Sequence, residues 1–153
     1  MSSMFKGCYS LTELNISNFN TSNVCNMQHM FEHCKSLTEL DLSLWNTENT
    51  YYMISMFGYC YNLEKLDISN FDISNVRDMS YMFISCESLT YLDLSNFTKT
   101  YNADMKCLFW GCESLKELDL SNFDISNASI YDYMFNRCKS LINLKTTDKR
   151  IIK

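Results

Sequence analysis

Apolar and polar positions along the chain recur with a period of 26 residues and without insertion. The Met-Phe pair stands at Met4-Phe5, Met30-Phe31, Met56-Phe57, Met82-Phe83 and Met134-Phe135, with Leu108-Phe109 completing the series. A cysteine follows each pair at Cys8, Cys34, Cys60, Cys86, Cys112 and Cys138. Two leucine columns come next, one running from Leu11 to Leu141 and one from Leu14 to Leu144. An aliphatic column (Ile16, Leu42, Ile68, Leu94, Leu120) and an aromatic column (Phe19, Trp45, Phe71, Phe97, Phe123) close the unit.

Within a unit the period changes. Leu92, Leu94 and Phe97 alternate with Tyr91, Asp93 and Ser95, which predicts a strand with one face buried. Upstream, Val76, Met79, Met82, Phe83 and Cys86 fall at spacings of three and four, which predicts a short helix. Asn75 is placed to cap it, and Asp78 favours its N-terminus. One unit cannot bury both its stripe and its strand face, whereas stacked units bury them against each other. The expectation is an α/β leucine-rich-repeat solenoid of about six 26-residue units. A parallel β-sheet roughly 24 Å across forms one face and short helices form the other. A single domain spans 1–153: a truncated first unit over 1–19, full units to 144, and a partial C-terminal cap over 145–153.

The strings LEKLDISNFD from Leu63 and LKELDLSNFD from Leu115, followed by S-N-V and M-x-x-M-F-x-x-C, resemble the BspA-like leucine-rich-repeat surface proteins over nearly the whole chain. The resemblance implies a solenoid at or outside the cell surface, with adhesion as its activity. The opening residues, MSSMFKGC, lack a basic n-region and a long apolar h-region, so no signal peptide is expected there. An intracellular adaptor, or a fragment of a larger repeat protein, is the alternative.

Formal net charge is -5 and the sequence pI about 4.9, which argues against nucleic acid as a partner. No run of about 18 apolar residues predicts a transmembrane segment. With no proline and three glycines, many tight irregular turns are not expected.

The six column cysteines read as buried, reduced thiols packing as small hydrophobes, although neighbouring rungs bring them within range of a disulfide. Cys25 and Cys107 lie outside the column and read as exposed. No C-x-x-C pair offers a zinc or redox motif. Cys25, His29 and His33 fall at i, i+4 and i+8 of the second predicted helix, where a metal site is weighed against solvated side chains and the latter preferred. No nucleophile, base and orienting partner can be assembled, so neither catalytic residues nor a cofactor is assigned and a hydrolase is the third-ranked reading.

Contact with a protein or glycan is expected on the outward strand positions: Glu13, Asn15, Glu39, Asp41, Lys65, Asp67, Tyr91, Asp93, Glu117 and Asp119. The first member of each pair varies in kind while the second stays mostly Asp, and variation on a rigid frame is how repeat proteins acquire specificity. Tyr91 is the expected aromatic anchor. The first strand, over 11–17, has no unit before it, so self-association through that edge is also expected.

Overall fold

A computed structural model describes residues 1–151 of the chain. The 26-residue unit forms one rung of a stack, and equivalent residues of successive rungs lie over one another. The clearest marker is a file of phenylalanine rings, Phe5, Phe31, Phe57, Phe83, Phe109 and Phe135. Their centroids are 5.5–5.7 Å apart and their planes lie within 9° of parallel.

The α/β solenoid with helices on one face is not what forms. Among the described residues there is no α-helix, and the regular strands are four: β1 (Glu39–Asp41), β2 (Lys65–Asp67), β3 (Glu117–Leu120) and β4 (Asn143–Thr146). They make two separate parallel pairs, β1 with β2 in the register Leu40 to Leu66, and β3 with β4 in the register Leu118 to Leu144. The continuous sheet breaks at the rung between β2 and β3, where residues 91–94 pair as a strand with neither side.

Backbone hydrogen bonding explains the missing helices. In the second rung, the N–H groups of Met27, His29, Phe31 and His33 donate to the carbonyls of Tyr52, Ile54, Met56 and Gly58 in the next rung, at 2.8–2.9 Å. The intervening N–H groups of Met30, Glu32 and Cys34 turn back onto Met27, His29 and Phe31. Every donor in the segment is therefore met, alternately between rungs and within one, and none is left for an i to i-4 ladder. The geometry requires left-handed residues at two columns. One runs through Ser3, His29, Ser55, Tyr81, Cys107 and Tyr133; the other through Gly7, His33, Tyr59, Ser85, Gly111 and Arg137, all at positive φ. A left-handed non-glycine residue costs about 1–2 kcal/mol, so the stack holds a run of tight turns made mostly without glycine. The expectation that few glycines mean few tight turns is corrected accordingly.

The apolar stripe is buried nonetheless. Val76, Met79, Met82, Phe83 and Cys86 are all inside, because consecutive turns return side chains inward at three- and four-residue spacings much as a helix does. Asn75 caps no helix: its Nδ2 donates to the Glu48 carbonyl one rung back, at 2.8 Å. Asp78 Oδ1 accepts from the Ser80 N–H at 2.9 Å and closes a corner instead of favouring a helix N-terminus.

One stretch departs from the repeat. At the inward positions held by Ile73 and Val76 in one rung, the next rung offers Lys99 and Asn102. The chain buries Thr100 and Ala103 instead, with Asn102 at positive φ. A one-residue slip keeps a charge out of the core.

Candidate functional surface

The corners of each rung are built by acidic or amide side chains that fold back on their own backbone. Asp41, Asp67, Asp93 and Asp119 each accept, through Oδ1, the N–H of the serine two residues on, at 2.9, 3.0, 2.9 and 2.9 Å. Asn15 does the same for Ser17 in the first rung, at 3.2 Å. These are Asx turns, in which a short polar side chain stands in for a backbone carbonyl. The acidic column is thus part of the turn architecture. Like charges facing each other across Asp41 and Asp67 repel by roughly 0.8 kcal/mol in water, and each is compensated by the amide it caps. Donation by Ser43 to Asp41, and by Ser121 and then Lys145 to Asp119, holds both carboxyls below their usual range, Asp119 at about 2.

All ten expected contact residues lie exposed on one face. Glu13 and Asn15 sit on the first rung, which carries no regular strand, so they extend the face without belonging to a sheet. Lys65 Nζ reaches Glu39 Oε1 at 3.3 Å across the β1–β2 pair. Across β3–β4, Lys145 Nζ reaches Asp119 Oδ2 at 3.2 Å. Two shallow depressions mark this face. One, of about 420 Å³, is bounded by Tyr91, Asp93, Glu117, Asp119, Asn143 and Lys145. The other, of about 470 Å³, is bounded by Glu39, Asp41, Lys65, Asp67, Tyr91 and Asp93. They meet at Tyr91 and Asp93, on the rung where the ladder is interrupted, and the Tyr91 side chain stands 62% exposed between them.

Asn143 continues the varying outward column of Tyr91 and Glu117, whereas Lys145 and the file of Asn70, Asn96 and Asn122 are not evident from the alternation of exposed positions alone. Lys145 falls in the C-terminal segment that reads as a cap, although it stands 26 residues beyond Asp119 in the same column. Asn143 borders the first depression and directs Nδ2 to Glu117 Oε2 at 3.5 Å. Asn70, Asn96 and Asn122 tie the face together by donating across rungs to the carbonyls of Ser43, Ser69 and Ser95. The repeated S-N-F string is the available signal for this last group.

The opposite face holds the other singled-out residues. Cys25, His29 and His33 share no helical face, since the segment is a succession of turns with both histidines left-handed. His29 Nδ1 lies 3.3 Å from Glu32 Oε2, and the His33 ring stacks on Tyr59 at 4.7 Å. No group of three potential ligands close enough to hold a metal occurs among the described residues. Cys25 is exposed as expected, but Cys107 is not: it occupies a left-handed column position and is 8% exposed.

Fold and face together define a repeat protein whose rungs share turn chemistry and differ in the residues they present. The chain belongs to the family described as Mycoplasma protein of unknown function, DUF285, which it matches over residues 1–90 and 38–148. The two matches overlap, as they can where one pattern recurs along a chain. No curated protein and no solved structure shows significant similarity to it. No described helix is long and apolar enough to cross a membrane.

Proposed function

We propose that the chain is a non-enzymatic binding module that contacts a protein or glycan partner through the face bearing Glu39, Lys65, Tyr91 and Glu117. The observation that carries this reading is the convergence of two depressions on the exposed Tyr91 ring, with Lys65 bordering one and Lys145 the other. An exposed aromatic flanked by concave polar surface offers a large contact area at low conformational cost. The division of labour within each rung supports it. Asp41, Asp67, Asp93 and Asp119 are occupied in turning the chain, while Glu39, Lys65, Tyr91, Glu117 and Asn143 differ in charge and shape and are free to discriminate. Asp41 and Asp119 are ionised well below neutral pH, so they supply fixed negative charge for a basic group and no proton for acid catalysis. The surface location and adhesion implied by the BspA-like resemblance are consistent with such a face.

The experiment is capture of partners from host and self extracts, followed by titration of the partner identified. Tyr91→Ala is expected to weaken binding by about tenfold or more, as loss of an aromatic anchor does, and Lys65→Glu to change it measurably. Tyr101→Ala, an exposed tyrosine away from the two depressions, serves as the control and should leave binding unchanged. Equal affinity for wild type, Tyr91→Ala and Lys65→Glu overturns the proposal.

A further inference from the structure

The turn segment of each rung is wired in one direction over its Met-Phe stretch, although at the segment's entry the bond runs the other way, from the Tyr51, Arg77, Asp104 and Ser129 N–H groups back to Cys25, Tyr51, Arg77 and Ala103. N–H groups of one rung donate and carbonyls of the following rung accept, from Phe5 onto Met30 through Phe31 onto Met56, Phe57 onto Met82 and Phe83 onto Leu108 to Phe109 onto Met134. A stack built this way has chemically unlike ends. On the first rung, the carbonyls of Ser2, Met4 and Lys6 occupy accepting positions, and no described rung donates to them. On the last, the N–H groups of Tyr133, Phe135 and Arg137 occupy donating positions with no acceptor among the described residues. The described part of the tail makes other contacts: Arg150 donates to the Ile125 carbonyl at 2.9 Å and lies over the Tyr131 ring.

Side chains repeat the pattern. Phe5 and Phe135 end the ring file, each stacked on the file from one side only and half-buried. Met4 is 49% exposed although its column mates Met30, Met56 and Met82 are fully covered by neighbouring rungs, and Tyr133 is 65% exposed. Backbone donors and acceptors left without partners next to apolar surface form a template for another chain. Here the template is directional. Over this stretch two first rungs would set acceptor against acceptor and two last rungs donor against donor, whereas a last rung on a first rung matches the three donors to the three acceptors.

We propose that the chain docks end to end with a second copy of itself, head to tail, the last rung of one copy lying on the first rung of the next in the register that continues the 26-residue repeat. Tyr133, Phe135 and Arg137 then donate to Ser2, Met4 and Lys6 of the next copy. Phe135 stacks on Phe5 of that copy, and the Cys8 thiol of that copy reaches the Phe135 carbonyl as Cys138 reaches the Phe109 carbonyl, at 3.1 Å, within one chain. Such a contact uses different surfaces on its two sides, so it propagates into a polar file of copies and does not stop at a symmetric dimer.

The test is the weight-average mass of the 153-residue chain by light scattering over a wide concentration range. Mass is expected to rise steadily above 18.0 kDa with concentration. Met4→Asp and Tyr133→Asp each place a charge on one end only. Both sites are exposed, and Asp tolerates the left-handed backbone of residue 133, at φ 57°, so the stack itself is retained. Each variant alone is expected to lose self-association. An equimolar mixture of the two should form a two-chain complex and nothing larger, because each variant keeps one competent end. A wild-type mass that stays at the single-chain value, growth by either single variant, or a mixture that remains monomeric overturns the proposal.

Discussion

The thiol of Cys60 donates to the carbonyl oxygen of Phe31, 3.1 Å away and one rung back. Cys34, Cys86, Cys112 and Cys138 make the same bond to Phe5, Phe57, Phe83 and Phe109. The column is therefore a file of protonated thiols, each needed as a donor where the Phe carbonyl faces the core. Burial is the main force raising their pKa: Cys34 and Cys138 are pushed up to about 11, and Cys60, Cys86 and Cys112 higher still. In the unfolded chain the same thiols titrate near 9. Below that pH both states hold the proton and the thiols add no pH dependence. Above it the unfolded state loses protons that the native state keeps, so stability falls as pH climbs from about 9 through the folded values. Urea midpoints at about pH 7, 9 and 10.5 are expected to decline only over the upper interval, and less so in Cys60→Ala. The expected burial of the column holds for Cys34, Cys60, Cys86 and Cys112 but not for Cys8 and Cys138, which end the file half-buried. At about pH 7.5 a thiol reagent should therefore label Cys25 at once and the four buried column cysteines only on unfolding. Rapid labelling of the whole set in the native protein would show the column to be open.

Gly111 and Ser85 oppose each other in one left-handed column, and a methyl group added at Gly111 would lie 3.1 Å from Ser85 Oγ. Gly111→Ala is expected to destabilise by about 1–2 kcal/mol, the ordinary penalty for a side chain at φ 76°. The change should appear in the urea midpoint with the slope unchanged. Ser85→Gly, which gives its rung the residue that the next rung already has, should stabilise by no more than about 1 kcal/mol, since added freedom of the unfolded chain offsets part of the relief. A neutral Gly111→Ala would mean that this position is not held left-handed in solution.

These two columns also account for what the sequence could and could not reveal. Burial was legible in the regular rungs, where Met79, Met82, Phe83 and Cys86 lie inside and Tyr91, Asp93 and Ser95 outside as their spacing indicates, but not at Cys107 or at the slip that buries Thr100 and Ala103. Backbone conformation was not legible. A stripe at three- and four-residue intervals is met equally by a helix and by consecutive turns, and the difference lies at Tyr81 and Ser85, which carry no chemical sign of a left-handed backbone. Isolated helices of about two turns are marginal in water, so inter-rung bonds to Leu108 and Trp110 outcompete them. The exposed face was legible as an alternation of polar and apolar residues. Its division into two depressions follows from the interrupted pairing at residues 91–94, which the near-identical strings LEKLDI, LTYLDL and LKELDL give no reason to expect.

Asp67 separates the two roles of the acidic column. Its Oδ1 accepts from both the N–H and the hydroxyl of Ser69, at 3.0 and 2.7 Å, a geometry that an amide oxygen serves as well as a carboxylate. Asn15 already fills the equivalent place in the first rung and bonds Ser17 the same way. Asp67→Asn is therefore expected to leave stability within about 0.5 kcal/mol of wild type, because the turn survives and only an exposed charge is lost. Asp67→Ala removes the acceptor and should cost about 1 kcal/mol, the usual worth of one such bond. For Asp41 and Asp119, whose folded pKa values are depressed, the stabilising contribution is fully present above the unfolded value near 3.8. It is lost as pH falls toward 2, where Asp119 titrates in the folded chain. Asp119→Asn should flatten that acid limb in thermal melts between about pH 5 and pH 2. Equal losses in Asp67→Asn and Asp67→Ala would assign the column's worth to charge and remove the turn from the account.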